Sequence, residues 1–195
     1  HAAKLVRLVK QSLGIDAHLR TNPAQNTTIV TIHGVQWAKL FEAWCAVGCG
    51  HKCLHPDLAA GPREFLSAVL DGWTDGDGLG DNVNGGVTVS HSLAVGMFDV
   101  ANALGLCPTI ETLDVKINPK HNIKSRQRRY IVKWGKSPEK FDKRRELTDT
   151  HMYRRVDGVV REEFSGWVFN LEVEGDHSYV AEGVGVHNCN ASATV

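Results

Sequence analysis

The strongest constraint on how this chain folds is that it contains one unit twice. "AAKLVRLVKQSLGIDAHL" near the start and "SLAVGMFDVANALGLCPTI" further on align when Leu13-Gly14-Ile15 is set on Leu104-Gly105-Leu106, an offset of 91 residues. Val6, Val9, Leu13, Ile15 and Leu19 then fall on Met97, Val100, Leu104, Leu106 and Ile110. Up to the glycine the apolar spacing is that of an amphipathic helix, and a glycine at that position ends a helix by taking the left-handed conformation. Beyond it each copy turns extended. "TTIVTI" (Thr27 to Ile32) follows the first copy and "RYIVKW" (Arg129 to Trp134) the second. Both alternate and are rich in β-branched and aromatic residues, which predicts strands. An α+β chain built on a repeated helix-and-strands unit is the expected class. Its 195 residues suffice for one or two domains with a core.

Between the copies lies "REFLSAVLDGWTDGDGLGD". Phe65, Leu66, Val69 and Leu70 predict one apolar helical face. The helix then runs into Asp71-Gly72 and Asp75-Gly76-Asp77-Gly78. Small residues allow a second helix to approach closely. A carboxylate at a helix C-terminus opposes the macrodipole, and a bound divalent cation would compensate it. Mg²⁺ takes one or two carboxylates together with water and phosphate oxygens. Asp-Gly pairs also form turns, so residue type alone leaves both readings open.

Charge is uneven. Lysine and arginine total 22, as do aspartate and glutamate, yet from Lys116 to Arg155 there are fourteen basic residues against four acidic ones. In "KINPKHNIKSRQRRYIVKW", Lys116, Lys120, Lys124, Arg126, Arg128, Arg129 and Lys133 are interleaved with strand residues. A basic ribbon of this kind suits the DNA major groove, with salt-dependent phosphate contacts. A solvated charged loop is the plainer alternative.

"LDGWTDGDG" (Leu70 to Gly78) resembles the second acidic helix motif of the LAGLIDADG homing endonucleases. "SLAVGMFDVANALGL" is similar to the helix that follows the strands in that family, and "HKCLHPDL" resembles its Lys-x-Ile-Pro element, with Lys52 and Pro56 in place. The resemblance implies an αββαββα region with a pseudo-two-fold axis, double-stranded DNA as partner, Mg²⁺ held by Asp77, and Lys52 as a candidate endonuclease residue. The first repeat lacks its own acidic helix, which leaves cleavage by this chain alone open. Cys45, Cys49, His51, Cys53 and His55 are crowded at spacings unlike paired zinc knuckles, so free thiols are the better reading of "CAVGCGHKCLH". Five cysteines in all, clustered and odd in number, do not form a disulfide framework.

The end of the chain carries different chemistry. "WVFNLEV" (Trp167 to Val173) alternates like a half-buried strand, "GDH" reads as a turn, and "SYVAEGVGVHN" reads as a second strand. Then comes His187-Asn188-Cys189. An asparagine amide can attack its own backbone carbonyl and break the chain, and the cysteine that follows is a nucleophile once deprotonated. Over the 24 residues of "GWVFNLEVEGDHSYVAEGVGVHNC" the tail resembles the C-terminal splicing motifs of inteins, which commonly carry LAGLIDADG endonucleases just before them.

That resemblance implies autocatalytic, single-turnover protein splicing without a cofactor. Cys189 would attack an upstream (thio)ester, and Asn188 would cyclise. His187 would serve the scissile peptide and His177 would assist Asn188. Asn170 stands where many inteins have Asp and is expected to orient rather than to act as a base. The N-terminal splicing motifs are absent. The expected partner is therefore an N-terminal intein fragment with its extein, whose strands would close an all-β Hint horseshoe. The expected divisions are an endonuclease-like region over 1–145, with the acidic helix motif at 65–78, a splicing segment over 146–188, and an extein stub over 189–195. The alternative is primarily a DNA-binding endonuclease half with splicing secondary or lost. No apolar run reaches the roughly 18 to 20 residues of a membrane span. A cytoplasmic location is the default.

Overall fold

The computed structural model describes residues 1–80, 83–114, 117–118, 123–124, 127–135, 145–169, 171–181 and 183–187. Its architecture is mixed α and β, with helices packed on small antiparallel sheets. No helix among the described residues is long and apolar enough to cross a membrane.

Each copy of the unit folds as a helix followed by two strands that pair antiparallel. In the first copy, helix α1 (Ala2–Leu13) ends at Gly14, whose φ of 69° is left-handed and whose N–H donates to the Lys10 carbonyl. Strands β1 (Ala17–Asn22) and β2 (Thr27–Ile32) follow as an antiparallel pair. A short 3₁₀ turn over Pro23–Gln25 joins them, capped by the Asn22 side chain accepting from the Ala24 amide. Two further helices, α2 (Val35–Cys45) and α3 (Pro56–Ala59), lead to α4 (Arg63–Asp77) and strand β3 (Gly85–Thr88).

The second copy begins with α5 (His91–Ala103), continues as β4 (Thr109–Leu113), and closes with β7 (Arg129–Lys133). Shifting β1 by the repeat offset places it over β4. Where the first copy joins its strands by a tight turn, the second carries a long connection. Within it lie two two-residue strands, β5 (Ile117–Asn118) and β6 (Ile123–Lys124), paired with each other.

The core sits in the second copy. Strand β7 lies between β3 and β4 in an antiparallel sheet, and Val132 at its centre is fully buried. Helix α5 buries Leu93, Ala94, Met97, Phe98, Val100 and Ala101, so it is apolar around most of its girth. Helix α4 contributes Leu66, Leu70 and Trp73, spaced four and three residues apart on one stripe. Of the expected face, Leu66 and Leu70 are buried and Val69 packs at the rim, but Phe65 is exposed, and Trp73 takes the inward place, stacked on Trp134 at 6.4 Å. Gly86 has no side chain because the Trp73 ring fills that space, 2.8 Å from where a Cβ would be. Ser90 caps α5 by accepting from the Leu93 amide, and its hydroxyl donates to the Lys52 carbonyl, so the cap also pins the 51–55 loop.

Past the core, β8 (Arg145–Leu147) pairs with β9 (Met152–Arg154), and the Arg154 guanidinium donates to the Pro108 carbonyl. The described residues of 155–177 form no helix or strand. This corrects the strand expected over Trp167 to Val173, where Trp167 and Phe169 are each 89% exposed. A strand is stable only when its ladder of backbone groups meets a neighbour, and none of the described residues supplies one. The single strand expected over 178–188 is corrected too. The described residues make a hairpin, β10 (Ser178–Ala181) against β11 (Val184–His187). Gly183, with φ 76°, supplies the left-handed residue that its turn requires.

Candidate functional site

The hairpin of β10 and β11 is the last described element of the chain. In register, Ser178 pairs with His187, Tyr179 with Val186, Val180 with Gly185 and Ala181 with Val184. His177 and His187 thus sit at the hairpin's open end, with ring centroids 6.2 Å apart and the rings nearly edge-on. Asn188, Cys189 and Asn170 lie outside the described residues.

His177 is held in an uncommon state. Its φ of 56° is left-handed, a conformation that costs a non-glycine residue of order 1 kcal/mol or more and that collects at functional sites. Its Nδ1 lies 2.8 Å from the Val173 carbonyl oxygen. A carbonyl can only accept, so Nδ1 carries the proton and donates. In the neutral ring Nε2 is then the basic nitrogen.

Asp176 is the residue that sequence reasoning passed over, because it was counted only as part of a turn. Its carboxylate accepts from the Ser178 hydroxyl at 2.9 Å and from the Ser178 amide at 3.2 Å. These two bonds hold the carboxyl below the usual aspartate range, with a smaller contribution from nearby His187. Asp176 therefore braces the first residue of β10 and sets a negative charge in the neighbourhood of His187.

The acidic helix presents Asp77 as its last residue, exposed to solvent. Asp71 and Asp75 line a cleft together with Gly76 and Gly78, and Asp75 is ion-paired with Lys4. Among the described residues no group of three or more His, Cys, Asp or Glu side chains could hold a metal ion. Asp77 offers one carboxylate to Mg²⁺. The remaining ligands of such an ion would be water and phosphate oxygens. Gly72 and Gly76 line an open groove of about 350 Å³ with α1 residues, and nothing described lies within 4 Å of a Cβ added at either. The close helix approach expected there is not made among the described residues.

The basic ribbon is described in part. Lys116, Lys120 and Arg126 lie outside the described residues, and Lys124 falls in β6. Arg128 donates to Asp114 at 3.0 Å and Lys133 to Glu111 at 2.6 Å, while Arg129 is exposed at the start of β7. Exposed pairs of this kind contribute about 0–1 kcal/mol, so a phosphate could displace either carboxylate.

Lys52 is exposed on the loop that Ser90 pins. Cys45, Cys49, Cys53 and Cys107 are free thiols. The Cys53 amide donates to the Cys45 carbonyl at 3.1 Å. Partial burial and the neighbouring Cys53 raise the Cys45 thiol pKa, against a smaller opposing pull from Lys52.

No family model matches the chain, and no solved structure matches it. It is similar to an uncharacterized protein of Methanocaldococcus jannaschii, 21% identical over 170 residues that cover 74% of this chain. The chain spans 19% of that protein's length.

Proposed function

We propose that this chain is the C-terminal part of an intein and that it carries out the last steps of protein splicing with an N-terminal partner fragment. The observation that carries the reading is the hairpin. It brings His177 and His187 together at the open end from which the chain runs on into Asn188 and Cys189.

The chemistry follows from the residue types. The Cys189 thiolate attacks the ester or thioester carbonyl at the upstream junction, the upstream chain moves onto its sulfur, and the Ser or Cys side chain of the N-fragment that had held the chain leaves as its hydroxyl or thiol. The Asn188 side-chain nitrogen then attacks its own backbone carbonyl carbon. A succinimide forms, the Asn188–Cys189 peptide bond breaks, and the Cys189 amine leaves with a proton. His177 suits the role of base toward the Asn188 amide, since its Nδ1 proton is committed to Val173 and Nε2 keeps a lone pair. His187 suits the role of donor to the departing nitrogen. The free Cys189 amine finally takes the acyl group from its own sulfur and forms an ordinary peptide.

The decisive experiment mixes the chain with a matching N-fragment and follows the products by mass spectrometry. Asn188→Ala should abolish release of the C-terminal stub, and release at the parent rate in that variant would end the Asn188 assignment. A second reading, a DNA-binding endonuclease half, is favoured by the exposed Arg129 and by Arg128 and Lys133, which bear only weak surface pairs. Affinity for duplex DNA should then fall by decades between low and moderate salt. A flat salt dependence would rule that reading out.

A further inference from the structure

The hairpin that presents the two histidines touches the core at its other end. Gly183 lies so close to α5 that a Cβ added there would sit 2.2 Å from Phe98 Cε1, 2.8 Å from Phe98 Cδ1 and 3.3 Å from Asp99 Oδ1. Phe98 belongs to the core and is 9% exposed. Its ring therefore has little freedom to move aside. Elsewhere the hairpin borders an open cleft of about 680 Å³, shared with the end of α5 and the β8–β9 turn. Val180 and Val184, next to the turn, are mostly exposed. A two-stranded hairpin with so little apolar cover is marginal in water unless something anchors it.

We propose that Phe98 is a positioning residue for the splice junction. Its ring seats the Gly183 turn, and the aim of the hairpin's open end is thereby set by the helical core rather than by the tail alone. This rests on the splicing reading above. The lever is short, because four residues of strand span only about 13 Å from turn to open end. A shift at the turn thus reaches His177 and His187 with little damping. It also gives Gly183 two reasons to be glycine, its left-handed φ and the ring against it.

The test is allele-specific rescue in the full chain. Gly183→Ala drives a methyl group into the ring and strains the turn, so amide exchange over 178–187 should quicken about tenfold while α5 keeps its protection. With the N-fragment present, stub release should slow by about the same factor. Phe98→Leu removes Cε1, the ring atom that the methyl meets most closely. Added to Gly183→Ala, it should recover much of both losses, leaving only the turn strain. If Phe98→Leu loosens α5 itself, seen as faster exchange over 91–103, Phe98→Met serves in its place. Unchanged exchange and release in Gly183→Ala, or no recovery in either double variant, would overturn the proposal. Asn188→Ala separates the two ideas. If that variant still releases the stub, the splicing reading falls, while the exchange data still decide whether Phe98 anchors the hairpin.

Discussion

The two copies of the repeated unit share a pattern and differ in burial. In the first, Val9 is the one buried residue of α1, and Leu19 on β1 is half exposed. In the second, the aligned Val100 is fully buried, and Met97 and Leu104 join it. The difference comes from what is laid over each unit. Helix α4 and strand β3 cover the second copy, with β3 pairing along the free edge of β7. Among the described residues the sheet of the first copy has only its own two strands, and α1 meets α4 across a groove bridged by the Lys4–Asp75 ion pair. The same spacing of apolar residues therefore yields a core in one place and a half-open surface in the other. Periodicity specifies which face of an element is apolar, and the neighbours decide how much of it leaves water.

The largest expected contrast lies at a position where both copies carry leucine. Leu104 is 7% exposed and Leu13 is only partly buried. Leu104→Ala should cost about 2–5 kcal/mol, the usual range for emptying a packed site. Leu13→Ala should cost less than half as much, because water already reaches its site. Urea unfolding of the two variants measures both. Equal losses would mean that the first copy is covered as well as the second.

A smaller contrast concerns the helix starts. Ser90 caps α5 with its side chain and ties it to the Lys52 carbonyl, whereas His1 at the start of α1 makes no side-chain cap. Ser90→Ala should cost about 1–2 kcal/mol, since a buried cap and a donor to the loop vanish together. His1→Ala should be silent. Thermal unfolding would show the gap as a lowered midpoint in one variant alone, and a silent Ser90→Ala would show that the loop holds α5 without it.

Much of this was legible from residue types. The glycine-ended helices and the strand at Thr27–Ile32 stand where the pattern put them, and the strand expected over Arg129 to Trp134 ends one residue early, at Lys133. They are local, and local rules apply. The exchange of Phe65 for Trp73 on the inner stripe of α4 was not legible. Which of several apolar residues faces inward depends on where β3 and Trp134 come to lie. The tail failed for a related reason. "WVFNLEV" has every local property of a strand, but a strand also needs a partner, and that requirement is not written in its own letters. Asp176 was hidden in another way. Its bonds to Ser178 and its charge near His187 arise only once the hairpin has formed.

The smallest expected effect asks for equality instead of contrast. Gly14 and Gly105 both take left-handed backbone, with φ of 69° and 75°, and a Cβ added at either would meet nothing within 4 Å. Their hydrogen bonding differs. Gly14 donates once, back to the Lys10 carbonyl. In the second copy Gly105 donates to Asn102 and Leu106 to Ala101, the paired bonds of a Schellman motif. Alanine keeps the N–H at both sites, so these bonds survive the substitution. What remains is the backbone strain of alanine at positive φ, offset in part by the lower entropy of the unfolded chain. Each substitution should therefore cost about 1 kcal/mol, and the two costs should agree although one site borders the core and the other an open face. If Gly105→Ala proved several times costlier, the packed surroundings of the second copy would have to extend into its turn. The division between locally determined helix ends and neighbour-determined burial would then fail at the point where it is easiest to measure.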